Sequence, residues 1–249
     1  MVDRCYSRYW AASANESQVM SNMKILESFF GRDTFIEEIT VNRIDDFIGH
    51  LEGLKRAPAT INQKLAHLGK ILRYSVERGY LRERPKIERV KQPSNERRVF
   101  FDYETEANIL DFLGDNNPSF FDWFVFAIDT GIRPGEIQQL TKRCFRTDPV
   151  LGPVVDVQDV KDTHGTTERR TVPLTKRADS AARRQLWDSS GPFERWTGAE
   201  RRTAWAAVRE KVDMDPELVP YCCRHTTATR LVQQGCCLLY TSPSPRDQR

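Results

Sequence analysis

No run of apolar residues in this chain is long enough to cross a membrane. The best candidate, Phe120 to Ile128, is interrupted by Asp122, and a spanning helix needs about 20 predominantly apolar residues. The N-terminal Met1-Val2-Asp3-Arg4 lacks the apolar core of a signal peptide, which implies a cytoplasmic protein with no membrane partner. No two cysteines have the C-x-x-C spacing of a zinc site. The six stand at 5, 144, 222, 223, 236 and 237, and neighbouring cysteines rarely bond to each other. Free thiols in a reducing compartment fit that pattern, with neither a disulfide framework nor a metal centre. No internal repeat is visible either.

What is present is a soluble composition, 39% hydrophobic and 29% charged, over 249 residues, enough for two domains with separate cores. The net charge of +3 says little, but its distribution says more. Residues 51–100 hold 13 lysines and arginines against five glutamates. Such a local excess suits a polyanionic partner, although a solvated helix face has the same composition.

Apolar spacing predicts helices through the first part of the chain. Ser13 or Asn15 can cap a helix carrying Val19, Met23, Leu26 and Phe30 at helical period and ending at Gly31. Thr40 opens a second, with Val41, Ile44, Phe47, Ile48 and Leu51, closed by Gly53. Pro58 sits in the first turn of a third. Its stripe is Ile61, Leu65, Leu68, Leu72 and Val76, with Lys64, Lys70 and Arg73 mostly off it, and Gly79 ends it. Arg82 to Arg98, with Pro85 and Pro93, has no clean period and reads as a basic linker. The expected organisation is a helical domain with its linker at 1–95 and a second domain at 96–236. In the latter, helices are predicted over Tyr103–Leu113 (capped by Asp102, ended by Gly114), Ser119–Thr130 and Pro134–Leu140. Val154–Val157 and Arg170–Leu174 have strand composition and flank a polar turn, Lys161–Glu168. Further helices are expected at 176–188, 199–213 and 224–234. The fold class is therefore mainly α with a small antiparallel β-sheet.

Two arginine motifs stand about ninety residues apart: Thr130-Gly131-Ile132-Arg133-Pro134-Gly135-Glu136-Ile137 and Tyr221-Cys222-Cys223-Arg224-His225-Thr226-Thr227-Ala228-Thr229. Each puts an arginine at the start of a predicted helix, where neighbours can hold it. Two such guanidiniums converging on one point clamp a phosphate, because their forks match its oxygens bidentately. Glu136, three residues after Arg133, is close enough to orient it. A lone G-x-R-x-x-E is more often an ordinary helix-start ion pair; the second motif is what changes that balance. Lys161 ends the first predicted strand, where a solvated hairpin lysine is the plain alternative.

These motifs resemble the two signature boxes of the tyrosine recombinase (phage integrase) family. The resemblance implies a SAM-like core-binding domain followed by the catalytic domain of the DNA breaking-rejoining fold, closing as a C-shaped clamp on double-stranded DNA. It implies Arg133 and Arg224 as the phosphate clamp, Lys161 as general acid on the leaving 5′-oxygen, and Glu136 in support. Tyr221 stands in the slot usually held by histidine. Tyrosine can hydrogen-bond a phosphate oxygen, but its phenol titrates near about 10 and does not do histidine's proton transfer at neutral pH; a core aromatic is the other reading. His225 reads as a structural hydrogen-bonding residue. Lys64, Lys70, Arg73, Arg97 and Arg98 are the expected DNA contacts. The implied chemistry is strand transfer through a 3′-phosphotyrosyl link, without metal or small-molecule cofactor, by a tetramer on recombining DNA. A mobile element is the implied setting.

The sequence also departs from the family. The hairpin turn is several residues longer than the commonest form. After Arg224 the family continues with Gly-His (or Trp) and a tyrosine roughly thirty residues on. Here only Tyr240 follows, sixteen positions after Arg224, with no Gly-His before it. Residues 237–249 break the helical pattern and read, in one frame, like the translated end of a sequencing-library adapter. The expectation is a non-native tail, a chain truncated before its nucleophile, and no cleavage by this chain. A natural Ser/Pro tail and Tyr240 as a relocated nucleophile are the rivals. A non-catalytic DNA-binding or architectural protein on the same fold is the alternative function; a type IB topoisomerase fits the N-terminal helices less well.

Overall fold

The computed structural model describes residues 2–11, 13, 16–93, 99–158, 169–185 and 191–236. The chain divides into two compact units, Met1–Glu96 and Arg97–Arg249.

In the first unit, α1 (Val2–Tyr9), α2 (Glu16–Phe30), α3 (Val41–Gly53) and α4 (Pro58–Glu77) are joined by short loops and one 3-10 turn, Ile36–Glu38. The Thr40 hydroxyl accepts from the Arg43 N–H and satisfies a donor that the first turn of α3 leaves open. Val19, Leu26, Phe30, Ile44, Phe47, Leu51, Ile61, Leu65, Leu68 and Leu72 close into one core. Cys5 of α1 and Trp10 just after it join them. The rings of Phe29, Phe30 and Phe47 pack with centroids 5.0 to 5.3 Å apart, and each fully buried side chain of this size is worth about 1.5–3 kcal/mol. Helix α1 escapes the sequence reading because only Cys5 of its eight residues is buried.

Two expectations are corrected here. Lys64 does not lie off the buried stripe of α4: it is 4% exposed, because neighbours cover that helix over a wide face that also takes Ile71, Tyr74 and Ser75. Burial first, and the Arg56 cation second, push its ammonium below the usual lysine range. The segment from Arg82 is not a free linker as far as Val90. Asn62 Nδ2 donates to the Val90 carbonyl (2.8 Å), the Val90 N–H donates back to Asn62 Oδ1 (2.9 Å), and Ile87 and Val90 rest on the core.

The second unit is built around α6 (Pro118–Thr130), whose residues Phe120 and Asp122 to Ile128 are all buried. A helix apolar on every side must be enclosed, and α5 (Tyr103–Asn116), α8 (Lys176–Gln185) and α10 (Cys222–Gln233) pack on it. Gly114 does not end α5. The helix runs on to Asn116, and Asn117 serves both neighbours: its N–H donates to the Leu113 carbonyl (2.8 Å) and its Oδ1 accepts from the Phe120 N–H (3.1 Å). Buried carboxylates are paired across the helices. Asp122 takes Arg184 and Gln185 from α8, and Glu106 takes Arg177 from α8 and Arg230 from α10. Charges left alone at such depth would cost several kcal/mol each.

After α6 come α7 (Pro134–Gln138), a 3-10 turn (Lys142–Cys144), then β1 (Phe145–Asp148), β2 (Gly152–Gln158) and β3 (Arg169–Pro173). The sheet is antiparallel in the order β1-β2-β3, with Phe145 opposite Val155, Val155 opposite Val172, and Val157 opposite Arg170. Period-two alternation turns Phe145, Val155, Val157 and Val172 to the core. Arg146, Asp156 and Thr171 share the other face, where Arg146 Nε donates to Asp156 Oδ2 at 2.8 Å and Thr171 Oγ1 to Asp156 Oδ1 at 2.6 Å. Strand β1 has little sequence signature because polar residues dominate it. Helix α9 (Gly198–Lys211), capped by Thr197, completes the unit. Among the described residues no helix is long and apolar enough to cross a membrane.

Candidate functional site

Gly131 ends α6 in the left-handed region at φ 62°, its N–H on the Ala127 carbonyl (3.0 Å). Only glycine takes this conformation without steric cost, and a Cβ here would also meet the Thr227 side chain at 3.0 Å. That close approach brings α10 against the end of α6. Thr227 Oγ1 donates to the Ile128 carbonyl (2.7 Å), and Arg224 Nη1 donates to the carbonyl of Gly131 (2.7 Å). The two motifs, far apart in sequence, are therefore tied by direct hydrogen bonds.

Arg133 is the residue that caps α7, with extended φ/ψ of −61° and 138°, and Pro134 supplies the first turn. Glu136, 3% exposed, sits at the centre of the cluster. Its Oε2 accepts from the Arg133 backbone N–H (3.1 Å) and its Oε1 from Arg133 Nη1 (2.9 Å). From β3, Arg170 adds Nη1 on Oε1 (3.3 Å) and Nη2 on Oε2. Four donors thus occupy one carboxylate, which fixes both guanidinium planes. Burial would raise the Glu136 pKa, but Arg170 and then Arg133 outweigh it and hold the carboxyl below the ordinary 4.5.

Around Arg224, burial and the nearby Arg133 cation pull its pKa below the usual guanidinium range; Tyr221 opposes this, Arg170 adds to it and Glu136 opposes it. It stays charged at any physiological pH. Arg133 and Arg170 share the Glu136 carboxylate, and the Arg224 guanidinium feels the charges of all three.

Tyr221 stands just before α10, 44% exposed, so it is not a core aromatic. Its ring meets the His225 ring edge-on, centroids 5.5 Å apart. That ring contact is the described role of His225; the hydrogen-bonding role expected of it is not seen among the described residues. Lys161 and the turn at 161–168 lie outside the described residues, as do Arg97, Arg98 and the whole of 237–249. In the first unit Arg73 is exposed, whereas Lys70 is half-buried over the rings of Tyr9 and Trp10 at 4.7 and 5.2 Å. Among the described residues no group of three or more His, Cys, Asp or Glu is placed to hold a metal ion.

Sequence reasoning missed Arg170. The strand period alone puts it on the face of Val172; only the register, which sets it opposite Val157, places it where it reaches Glu136.

Removing the central charge gives a testable result. Glu136→Gln is expected to cost about 1–3 kcal/mol at neutral pH, because two part-exposed guanidiniums lose the negative charge and one of the two acceptor oxygens they share. A carboxyl whose folded pKa is depressed contributes stability above its unfolded value and loses it as pH falls through the folded one. The gap between wild type and Glu136→Gln in urea unfolding should therefore be full above pH 4.5 and shrink below it. A gap that is unchanged or wider in acid contradicts this assignment.

Residues 6–90 match the model of the family described as phage integrase SAM-like domain. The chain is similar in structure to the integrase of transposon Tn1549, solved in complex with circular intermediate DNA, at a TM-score of 0.76 and 15% identity over 96% of this chain and 87% of that one. It is also similar to lambda integrase in a dimer bound to a COC′ core site, with a TM-score of 0.78 and 14% identity over 99% of this chain and 94% of that one. Lambda integrase in a tetramer bound to a Holliday junction gives 0.76 and 14% over 94% and 72%. At this identity the likeness is one of fold. A search of curated protein sequences finds no match.

Proposed function

We propose that this chain, which carries a phage integrase SAM-like domain and the fold of the tyrosine recombinases, is the DNA-binding and phosphate-activating part of a site-specific recombinase. One observation carries the reading. Arg133 and Arg224, from two separate motifs, are held at the same end of α6, one by Glu136 and the other by the carbonyl of Gly131, two residues before Arg133.

In this reading the two guanidiniums take the non-bridging oxygens of the scissile phosphate. As a nucleophilic oxygen attacks phosphorus, the phosphate passes from one negative charge to two, and guanidiniums that donate to its non-bridging oxygens hold the later state more tightly than the earlier. Stabilising the transition state more than the ground state is what accelerates a reaction. Tyr221, exposed at the lip of the site, donates its O–H to a phosphate oxygen in the place where relatives use histidine. Lys161 is proposed to give the proton to the departing 5′-oxygen. Arg73 and Lys70 meet backbone phosphates through the first unit, with Arg97 and Arg98 following it; buried Lys64 is dropped from that set. Strand exchange by a tetramer, as in the lambda integrase assembly on a Holliday junction, belongs to the same proposal.

The nucleophile is proposed not to be Tyr240, the one tyrosine after Arg224, which lies closer to it than the family spacing. Trapping on a pool of nicked duplexes, which lose the 5′-hydroxyl strand on cleavage, tests this. The chain as it stands should give no covalent adduct, and the chain continued with its genomic coding sequence beyond codon 236 should give one. An adduct from the present chain, abolished by Tyr240→Phe, overturns the assignment of the nucleophile. Tight binding without any adduct from the continued chain favours a purely DNA-binding protein.

A further inference from the structure

The geometry points to Arg170 as a positioning residue of the clamp: a β3 arginine that sets the aim of Arg133 by holding the carboxylate the two share. The inference rests on the phosphate-clamp reading above and adds a residue to it. Arg170 spends both terminal nitrogens on Glu136. Glu136 in turn holds the backbone N–H and Nη1 of Arg133. A carboxylate gripped from one side alone can rotate about its last torsion; gripped from two sides by planar forks, it cannot without breaking bonds on both. Arg133 is thereby fixed before any phosphate arrives, and the ordering cost is met in folding and not in binding.

The fold explains why the residue comes from β3. Arg170 lies opposite Val157 at the end of a core-facing column. The side chains further along that column, Val155 and Val172, pack into the apolar core. A guanidinium at this position emerges beside the start of α7, where Glu136 is 3% exposed and needs a counter-charge. Arg170 is itself part-exposed, and its neighbour Thr171 points to the other face and bonds Asp156. Register, not proximity in sequence, joins the sheet to the clamp.

The test uses the chain as it is, with Arg170→Lys, Arg170→Met and, as a control for loss of a comparable ion pair on the opposite face, Arg146→Lys. Nitrogen-15 NMR of the arginine side chains reads rotation about the Nε–Cζ bond of Arg133, and titration with inorganic phosphate reads anion affinity. Both Arg170 variants should free the Arg133 guanidinium to rotate and weaken phosphate binding about tenfold, the scale at which outer partners tune a bound group. Lysine should fail to rescue because it keeps the charge and loses the fork. Arg146→Lys should change neither readout. Unchanged Arg133 signals in both Arg170 variants, or phosphate affinity restored by lysine, overturn the proposal. Arg224→Ala separates the two layers: if it binds inorganic phosphate as wild type does, the clamp reading fails, while the Arg133 signals still decide whether Arg170 positions it.

Discussion

Replacing Arg224 with alanine is expected to slow DNA cleavage by about 10²–10³-fold in the form of the protein that carries its nucleophile, the scale of losing one donor to a developing oxyanion. The argument begins at Gly131. Its positive φ of 62° ends α6 and turns its carbonyl to Arg224 Nη1 at 2.7 Å, so one edge of the guanidinium is spent on the protein. The charge sits half-buried, and burial first, then Arg133 and Arg170, push its pKa down. A site that pays to hold repelling cations gains most when an extra negative charge appears, and that happens in the transition state. Binding of duplex DNA should fall far less than cleavage, because affinity is shared among many phosphates. Arg224→Lys should recover little, since an ammonium cannot bond the Gly131 carbonyl and grip a phosphate with the same planar geometry. Single-turnover cleavage beside equilibrium binding checks both; a variant that cleaves within tenfold of wild type contradicts the assignment.

The largest expected loss of stability comes from Gly191→Ala. This buried glycine lies under the loop that follows α7, where a Cβ would stand 2.0 Å from the Leu140 carbonyl oxygen and 3.1 Å from its carbon. Backbone has no rotamer to yield with, so the chain must move. Overpacking typically costs about 1–3 kcal/mol, and this contact belongs at or beyond the upper end. Leu140 is two residues past α7, so the displacement also reaches the helix that Arg133 caps. Gly49 is the contrast. It lies inside α3 with nothing within 4 Å of a would-be Cβ, and Gly49→Ala should stabilise the first unit by about 0.5–1 kcal/mol through helix propensity and a less disordered unfolded chain. Urea unfolding of the two variants should move in opposite directions. Equal effects would show that the packing at Leu140 is not as tight as described.

Much of the helical framework was legible because it rests on strong local signals. Thr40, Pro58 and Asp102 mark helix starts by chemistry that acts within one turn, and the apolar stripe of α4 declares its buried face. What was not legible depends on neighbours in space. Lys64 has the residue type of an exposed position, yet α4 is covered widely enough to bury it. Asn62 gives no sign in sequence that it reaches Val90. Strand β1 has too few apolar residues to announce itself and exists as an edge to β2. The clamp divides in the same way. Arg133, Glu136 and Arg224 stand in recognisable motifs, and the i to i+3 spacing of the first two foretold their contact. The Gly131 carbonyl and Arg170 did not, because one needs the left-handed turn and the other the register of β3.

The measurement that bears most directly on the shared clamp is a double-mutant cycle on cleavage with Arg133→Ala, Arg224→Ala and the pair, in the adduct-forming protein. If both arginines act on one phosphate in one transition state, the pair should cost little more than the worse single change, since groups that work as a unit are strongly non-additive. Losses that multiply in full, or a single change without effect on cleavage, would mean that the two arginines do not share a phosphate.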